Sequence, residues 1–179
     1  EDTSPKPLNA YGFSKALGEE IVTKNNPDAL IVRCNFFGWG PSYKPSFSDF
    51  IFNNLSKDKS IRLVDDVHYT PASTMNLIDS VHRLIEMDAV GIFNAVGSER
   101  ISKYDFGSKV ADIFGLPKNL IQRIGWACLG AKAKRPVDMS LSDRKIRDFL
   151  GENLGTANQN IHLLRKQVDT QLFKRIKAI

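Results

Sequence analysis

The sequence has 179 residues, of which 42% are hydrophobic and 25% charged, and this is the composition of a globular domain large enough to bury a core. Two cysteines cannot form a disulfide framework in such a chain, and no apolar run approaches the roughly 18 residues that span a membrane, so we expect a reduced, cytoplasmic protein. The net charge of +5 suits a solvated basic helix face or a phosphate-bearing ligand, and no nucleic-acid-binding motif accompanies it.

Helical and strand patterns alternate along the chain. Residues 10–25 are predicted as a helix, because Ala10, Phe13, Leu17 and Ile21 recur at helical spacing. The apolar run at 29–34 is typical of a buried parallel strand. Later elements are predicted as a helix at 47–55, a strand at 61–64, a helix at 75–85, a strand at 91–97, helices at 102–114 and 142–150, and a helical tail from 156. This alternation predicts an α/β fold.

Local signals place the ends of two of these helices. Ser102 and Asp105 have the spacing of a capping box, and Gly115 ends the same helix. Ser142 is expected to cap the helix that Gly151 ends.

Tyr11 and Lys15 are the most informative pair in the sequence. Residues four apart lie on one face of a helix, so the phenol and the ammonium are expected to project together. A free phenol ionises near pH 10, and an ammonium about 4 Å away contributes roughly 4 kcal/mol at an effective dielectric of about 20, enough to favour the phenolate near neutral pH. A phenol of this kind exchanges protons with a carbonyl or an alcohol. The alternative is an ordinary amphipathic helix in which Tyr11 packs and Lys15 is solvated.

Five segments carry a resemblance to a known family. "PLNAYGFSKALGEE" and "ALIVRCNFFGWGP" resemble the active-site helix and the next strand of the extended short-chain dehydrogenase/reductases, in the NAD-dependent epimerase/dehydratase superfamily. "DDVHYTPASTMNLIDSV", "GIFNAVGSERISKYDFGSKVADIFGL" and "KRPVDMSLSDRKIRDFLG" resemble later segments of that family in the same order. The resemblance covers roughly residues 5–151, and its Thr-Pro and Arg-Pro segments are most similar to the dTDP-4-dehydrorhamnose reductase group.

The resemblance implies catalytic and cofactor-binding roles. Tyr11 would protonate the carbonyl oxygen of the sugar, and Lys15 would bind the nicotinamide ribose and favour ionisation of the phenol. Residues just past the strand would border NAD(P)H together with this pair; they are Cys34, Asn35 and Phe36.

The substrate implied by the resemblance is a nucleotide-diphosphate sugar. Asn35, Thr70 and Arg135 would hold it, and Arg135 follows Lys132 and Lys134 in a basic run before a proline. A guanidinium can bind phosphate oxygens in pairs, which suits a diphosphate. The alternatives are a surface ion pair for Arg135 and a strand-end turn for Asn35.

The sequence lacks the part of the family that binds the dinucleotide. Its only Gly-x-Gly, at 38–40, follows the wrong strand and precedes a proline, so it is no phosphate cradle. There is also no initiator methionine. We therefore expect the C-terminal part of a Rossmann-type doubly wound sheet plus a small α/β substrate-binding domain, and we expect this chain alone to be inactive.

The expected division of the chain has three parts. The catalytic helix and the last sheet strands take about 1–45 and part of 61–100, the substrate-binding portion takes about 46–60 and 101–155, and a C-terminal amphipathic helix takes 156–179.

The predicted function is NAD(P)H-dependent reduction of a nucleotide-linked 4-keto sugar. An epimerase or dehydratase of the same family would use the same tyrosine, and a non-catalytic binding or regulatory subunit and a basic polyanion-binding module stay open. A homodimer is compatible with the resemblance. No metal site is expected, because the histidines at 68, 82 and 162 are dispersed.

Overall fold

The computed structural model describes residues 1–130, 134–168 and 170–179. The helices are α1 (Ala10–Asn25), α2 (Phe47–Leu55), α3 (Thr74–Glu86), α4 (Lys103–Phe114), α5 (Arg144–Leu150), α6 (Ala157–Gln167) and α7 (Gln171–Ala178). The strands are β1 (Leu30–Cys34), β2 (Phe36–Phe37), β3 (Ile61–Val64), β4 (His68–Tyr69), β5 (Ala72–Ser73), β6 (Gly91–Ala95), β7 (Ile101–Ser102) and β8 (Ile121–Ile124). The predicted α/β class is confirmed.

Parallel strand pairs organise the chain. β1 and β6 pair in parallel over five residues, from Leu30 opposite Gly91 to Cys34 opposite Ala95. β3 pairs in parallel with β8, β2 pairs in parallel with β5, and β4 pairs antiparallel with β7. Because β1 and β6 run in the same direction, their carboxyl ends meet at one edge, and Asn35 follows directly at that edge.

Two buried clusters hold the helices against these strands. The first packs α2, α4 and α6 around β3 and β8; its largest buried side chains are Phe106, Ile51, Leu55, Ile161 and Leu164. The second packs α3 and α5 against β1 and β6; it is centred on Leu84, Phe93 and Ile146. Removing this apolar surface from water is the main term that stabilises the fold.

Helix α1 forms where the sequence predicts it, yet its apolar stripe is left uncovered. Its N-cap is Asn9, whose Oδ1 accepts the Gly12 N–H at 2.9 Å. No residue of α1 is buried, and Phe13, Leu17 and Ile21 of the predicted stripe are 61%, 42% and 51% exposed. The N-cap and the local sequence pattern therefore stabilise this helix, and burial against the rest of the described chain contributes little.

Two predicted helix caps need correction. Ser102 Oγ accepts the Asp105 N–H at 3.0 Å, but the Asp105 carboxylate accepts from the Ser102 hydroxyl rather than from the backbone, so the capping box is incomplete. The helix predicted from 142 begins at Arg144, and Ser142 lies outside it with its Oγ accepting the Arg144 N–H at 3.3 Å. In both cases the hydroxyl bonds a nearby backbone N–H, as Ser side chains do around helix starts.

The single C-terminal helix predicted from 156 was wrong, because the segment forms α6 and α7. Thr170 is the N-cap of α7, and its Oγ1 accepts the Phe173 N–H at 3.3 Å. The Lys177 ammonium in α7 pairs with the Asp49 carboxylate in α2 and donates to the Gly40 carbonyl at 2.7 Å. These long-range contacts attach the last helix to the start of α2 and to the loop before it. The wider division of the chain into catalytic and substrate-binding portions stays a prediction.

Five strands were missed at the sequence level. β2, β4, β5 and β7 have two residues each, which is too short for a periodic signal, and β8 has four. No helix among the described residues is long and apolar enough to cross a membrane.

Gly97 tests the close packing behind the sheet edge. An alanine Cβ at Gly97 would lie 2.2 Å from the Pro71 carbonyl oxygen, so the backbone has to shift. We expect Gly97→Ala to lower the free energy of unfolding by roughly 1–3 kcal/mol in urea titrations. The matched control is Gly18→Ala in α1, where nothing lies within 4 Å, and it should stabilise by about 0.5–1 kcal/mol. Equal effects of the two substitutions would contradict the packing argument.

Asp49 tests the attachment of α7. Burial raises the pKa of its carboxyl, but hydrogen bonds from Lys177, Gly40 and Ser46 outweigh this and lower the pKa below its usual value. Its stabilising effect is therefore present above about pH 4 and is lost as the pH falls through the folded-state pKa. Asp49→Asn should lower the free energy of unfolding by about 1.5–3 kcal/mol at pH 7 and by less at pH 3, where the carboxyl of the unfolded chain is mostly protonated.

The control for that experiment is an exposed ion pair. Asp112→Asn removes the partner of Lys118, at 2.7 Å, and should lower the free energy of unfolding far less at pH 7, because this pair is exposed to water. A loss in Asp49→Asn that is as large at pH 3 as at pH 7 would show that the charge of Asp49 is not what holds α7.

Candidate functional site

The first turns of α1 present Tyr11 and Lys15 on one face. Tyr11 is 72% exposed, and the Lys15 Nζ lies 5.6 Å from the centroid of its ring. Both side chains are anchored only through the helix, since Asn9 caps it and the Ser14 hydroxyl donates to the Tyr11 carbonyl at 2.9 Å. The predicted juxtaposition of phenol and ammonium is therefore present.

The Arg135 segment is tied to the start of the same helix. Asn9 Nδ2 donates to the Lys134 carbonyl oxygen at 2.7 Å, so one side chain both caps α1 and holds this loop. Arg135 itself is exposed beside that attachment. Lys132, which belongs to the same basic run of the sequence, lies outside the described residues.

The chain after Arg135 runs along β4. His68 N–H donates to the Val137 carbonyl at 2.8 Å, and Met139 N–H donates to the His68 carbonyl at 2.9 Å. His68 also forms an isolated bridge with Asp138. Residues 137–142 are called here the crossing segment, because they pass over the carboxyl ends of the β1–β6 pair.

Side chains at the sheet edge fix the crossing segment. Asn35 Nδ2 donates to the Met139 carbonyl at 3.1 Å, and Asn94 Nδ2 donates to the Ser142 carbonyl at 3.2 Å. Asn35 is the residue that directly follows β1, and Asn94 lies near the end of β6. The edge thus carries the segment at two points on neighbouring strands.

Thr70 and Asn35, both predicted to bind the substrate, form hydrogen bonds with the backbone of the crossing segment in this structure. Thr70 is only 5% exposed, and its Oγ1 accepts the Leu141 N–H at 3.2 Å. Asn35 is half-buried and engaged as described above. Both residues position the crossing segment, and a direct contact of either with the substrate stays a prediction.

Lys15 borders a cavity of about 650 Å³ between α1 and the crossing segment. Gly12, Asn94 and Asp138 line other parts of its wall. Hydrogen bonds from the Ser140 hydroxyl and then from Arg100 hold the pKa of the Asp138 carboxyl well below its usual range, so Asp138 is ionised at neutral pH. The cavity wall carries charges of both signs, since Glu1, Lys6, Glu19 and Arg33 also line it.

Cys34 and Phe36 lie on either side of Asn35. Cys34 is exposed at the end of β1, and its thiol is free. Phe36 is 60% exposed and lines a different, smaller cavity of about 200 Å³. The structure therefore separates Phe36 from the cavity at Lys15. The expected contacts of Cys34 and Phe36 with the nicotinamide stay predictions.

Sequence reasoning missed the residues around Phe36. Tyr69, Phe47 and Lys103 line the same small cavity, and the Lys103 Nζ lies 3.3 Å from the centroid of the Tyr69 ring. One sequence signal was available: Lys103 directly follows the N-cap Ser102, where the helix dipole disfavours a cation.

The arrangement can donate a proton and bind hydroxyl groups. Tyr11 and Lys15 are exposed donors on one helix face, which fits the ribose of a nicotinamide nucleotide and a carbonyl oxygen beside it. The described part of the chain holds no glycine-rich strand-to-helix turn for a pyrophosphate, so only the nicotinamide end of the cofactor is matched here. No group of metal-ligating side chains occurs among the described residues.

Comparisons with known proteins identify the family of the chain. Residues 1–169 match the family described as the RmlD substrate binding domain. A probable low-salt glycan biosynthesis reductase, Agl14 of Haloferax volcanii, is 28% identical over 92% of this chain and 56% of its own length. Methionine adenosyltransferase 2 subunit beta of Xenopus laevis is 27% identical over 82% of this chain and 46% of its own.

Solved structures share the fold. A hypothetical dTDP-4-dehydrorhamnose reductase from Sulfolobus tokodaii superposes with a TM-score of 0.75 at 30% identity, over 87% of this chain and 54% of that one. The dTDP-4-dehydrorhamnose reductase of Bacillus anthracis, in complex with NADP, gives a TM-score of 0.83 at 21% identity, over 93% of this chain and 58% of that one. The chain spans about half the length of the relatives it matches.

The resemblance seen in the sequence is thus confirmed, together with the Rossmann-like α/β fold. With 169 of its 179 residues matched, the chain belongs to the RmlD substrate binding domain family.

Proposed function

We propose that this chain supplies the catalytic helix and the substrate-binding portion of an NAD(P)H-dependent reductase of a nucleotide-linked 4-keto sugar. The observation that carries the proposal is the exposed Tyr11–Lys15 pair on α1, whose N-cap Asn9 also bonds to the Lys134 carbonyl beside Arg135. The two relatives whose names describe reductases of glycan or deoxysugar synthesis support the same reaction class.

A cofactor-binding portion is needed to complete the enzyme. Phe13 and Leu17 of the uncovered stripe border an open cavity of about 700 Å³, and the stripe offers an apolar surface for that portion to pack on. The neighbours solved with NADP or NAD support a nicotinamide cofactor, and the choice between NADH and NADPH is left open.

In the proposed reaction, NAD(P)H supplies a hydride to the carbonyl carbon of the sugar. Tyr11 donates its phenolic proton to the carbonyl oxygen, so that no free alkoxide has to form. Lys15 binds the ribose hydroxyls next to the nicotinamide and stabilises the phenolate that remains on Tyr11. Cys34 and Asn35, at the end of β1, border the reacting groups, and Arg135 pairs with the diphosphate of the substrate.

Two alternatives keep specific support. The fold is shared with a dTDP-glucose 4,6-dehydratase of Bacillus anthracis solved with NAD, at a TM-score of 0.76 and 17% identity, so the fold alone does not separate reductase from dehydratase or epimerase. The match to a methionine adenosyltransferase subunit supports the alternative that the chain belongs to a subunit of a larger assembly. The cytoplasmic location and the homodimer stay predictions.

One prediction of this proposal concerns Tyr11. In a polypeptide that joins this chain to its cofactor-binding portion, Tyr11→Phe should lower the turnover number by roughly 10²–10⁴-fold, because it removes only the proton donor. The measurement is loss of NADPH absorbance with a dTDP-4-keto sugar, beside a titration of NADPH binding, which should be nearly unchanged.

Tyr43→Phe is the matched control, since Tyr43 is 75% exposed and lies outside α1. Turnover in Tyr11→Phe close to that of this control would remove Tyr11 from the mechanism. An unmodified protein that binds the sugar nucleotide or a partner protein but never consumes NADPH would instead favour the regulatory alternative.

The second prediction concerns Arg135. If its guanidinium binds the diphosphate equally in the ground state and the transition state, Arg135→Ala raises KM and leaves the turnover number nearly unchanged. A charge-assisted contact of about 1.5–3 kcal/mol corresponds to roughly 10- to 150-fold in KM. Arg135→Lys should recover only part of this, because an ammonium cannot make the paired contact.

The control is Arg62→Ala, which removes an exposed arginine from β3. A KM in Arg135→Ala equal to that of Arg62→Ala, in a protein with an unchanged circular dichroism spectrum, would return Arg135 to a surface ion pair.

A further inference from the structure

One ion pair joins helix α1 to the sheet. Arg33 of β1 donates from Nε to Glu19 Oε1 at 2.9 Å and from Nη2 to Glu19 Oε2 at 2.6 Å. Two parallel bonds of this kind hold a guanidinium and a carboxylate in a fixed mutual orientation. The two side chains are only 19% and 23% exposed, so water and salt screen this pair less than they screen a surface pair.

The pair borders two open cavities beside α1. Glu19 and Arg33 line both the cavity of about 650 Å³ at Lys15 and the cavity of about 700 Å³ at Phe13. No residue of α1 is buried, so apolar packing does little to fix how the helix lies against the sheet. A polar contact that reaches from the helix to the strand therefore carries much of that task.

Few other polar contacts attach α1. The hydroxyls of Ser14 and Thr23 and the amide of Asn25 donate to carbonyl oxygens within the helix, at 2.8–2.9 Å. Asn9, the N-cap, bonds to the Lys134 carbonyl at the start of the helix. In the described part of the chain, Glu19 is accordingly the one residue of α1 whose side chain is hydrogen-bonded to another element.

The position of Glu19 couples the ion pair to the catalytic face. Tyr11, Lys15 and Glu19 follow one another at four-residue steps, and each step turns about 40° around the helix axis. The rotation that brings Glu19 to Arg33 therefore also sets the direction in which Lys15 and Tyr11 project. Arg33 comes two residues before Asn35, which bonds to the Met139 carbonyl, so the end of β1 holds both α1 and the crossing segment.

We propose that Arg33 and Glu19 are positioning residues, whose ion pair fixes the rotation of α1 and so places Tyr11 and Lys15 beside the sheet edge. The pair acts through Tyr11 and Lys15 rather than on the substrate. The placement of the helix is a property of this chain, whereas the effect of the pair on a reaction rests on the proposed function.

The first test needs no substrate. Hydrogen–deuterium exchange of the α1 amides is followed by NMR in the 179-residue chain. Glu19→Gln should raise their exchange rates by roughly 10-fold or more, because a charge-assisted contact is lost. The amides of Leu84 and Phe93, in the buried cluster against β1 and β6, should exchange as before and show that the fold is intact.

Further variants separate the pair from a general loss of charge. Arg33→Gln should raise the exchange rates as Glu19→Gln does, and the double variant should behave like either, because both substitutions remove the same contact. Glu20→Gln, the next residue of the helix and exposed, is the charge-matched control and should leave the rates unchanged. Equal increases in Glu19→Gln and Glu20→Gln would overturn the proposal.

The second test measures the consequence for the reaction, in the polypeptide that includes the cofactor-binding portion. Glu19→Gln should lower the turnover number by about 10- to 100-fold and leave KM for the sugar nearly unchanged, since a misplacement of about 1 Å can cost 10²-fold in rate. In a Tyr11→Phe background the same substitution should have little further effect, because it acts through Tyr11. Equal losses in both backgrounds would show a merely structural role and overturn the positioning role.

The two tests fail separately. An unmodified protein that never consumes NADPH would contradict the proposed function, and the exchange rates would still decide whether the ion pair places α1. Exchange rates in α1 that do not respond to Glu19→Gln would overturn the role of the pair even in an active reductase.

Discussion

The site depends on the hydrogen bonds that hold the crossing segment over the sheet edge. Its carbonyl and N–H groups pair with the amide of Asn35, the backbone of His68 and the hydroxyl of Thr70. A backbone lying at such an edge needs partners for its polar groups, since an unpaired buried group costs about as much as a lost hydrogen bond. The polar residues after the strands therefore act first as anchors, and they bring residues about 100 positions apart into one site.

Electrostatics divides the site into paired and unpaired charges. Asp49 is buried and fully bonded, and Asp138 is paired with Arg100 and Ser140, so both carboxylates are satisfied within the protein. Lys15 and Lys103 border cavities instead. Among the described residues, the wall of the Lys103 cavity includes no carboxylate, whereas Glu19 and Asp138 line the cavity at Lys15, so the two lysines differ in how far their charge is balanced.

The walls of the two cavities differ in how rigidly they are held. The Lys103 cavity is built on three helix starts that pack into the larger buried cluster. The Tyr11–Lys15 face stands on a helix with no buried residue. This contrast fits the proposal that the catalytic helix forms one wall of a cleft whose other wall comes from the cofactor-binding portion.

The sequence by itself determined the features that depend on neighbouring residues. The helix at 10–25 and the strands near 30–34 and 61–64 formed within a residue or two of prediction, because helical spacing, caps and apolar runs act over a few positions. The Tyr11–Lys15 juxtaposition follows from the geometry of one helical turn. The family resemblance, carried by ordered motifs, was readable in the same way.

Only the tertiary structure decided the features that join distant positions. Thr70 and Asn35 bond to the crossing segment. Lys177 of α7 pairs with Asp49 of α2. Lys103 lies beside the rings of Tyr69 and Phe47. Each of these depends on which groups become buried together, and burial is a property of the packed chain rather than of a local pattern. The same physics explains why a lysine that looks like an ordinary surface residue in the sequence becomes a desolvated cation in the fold.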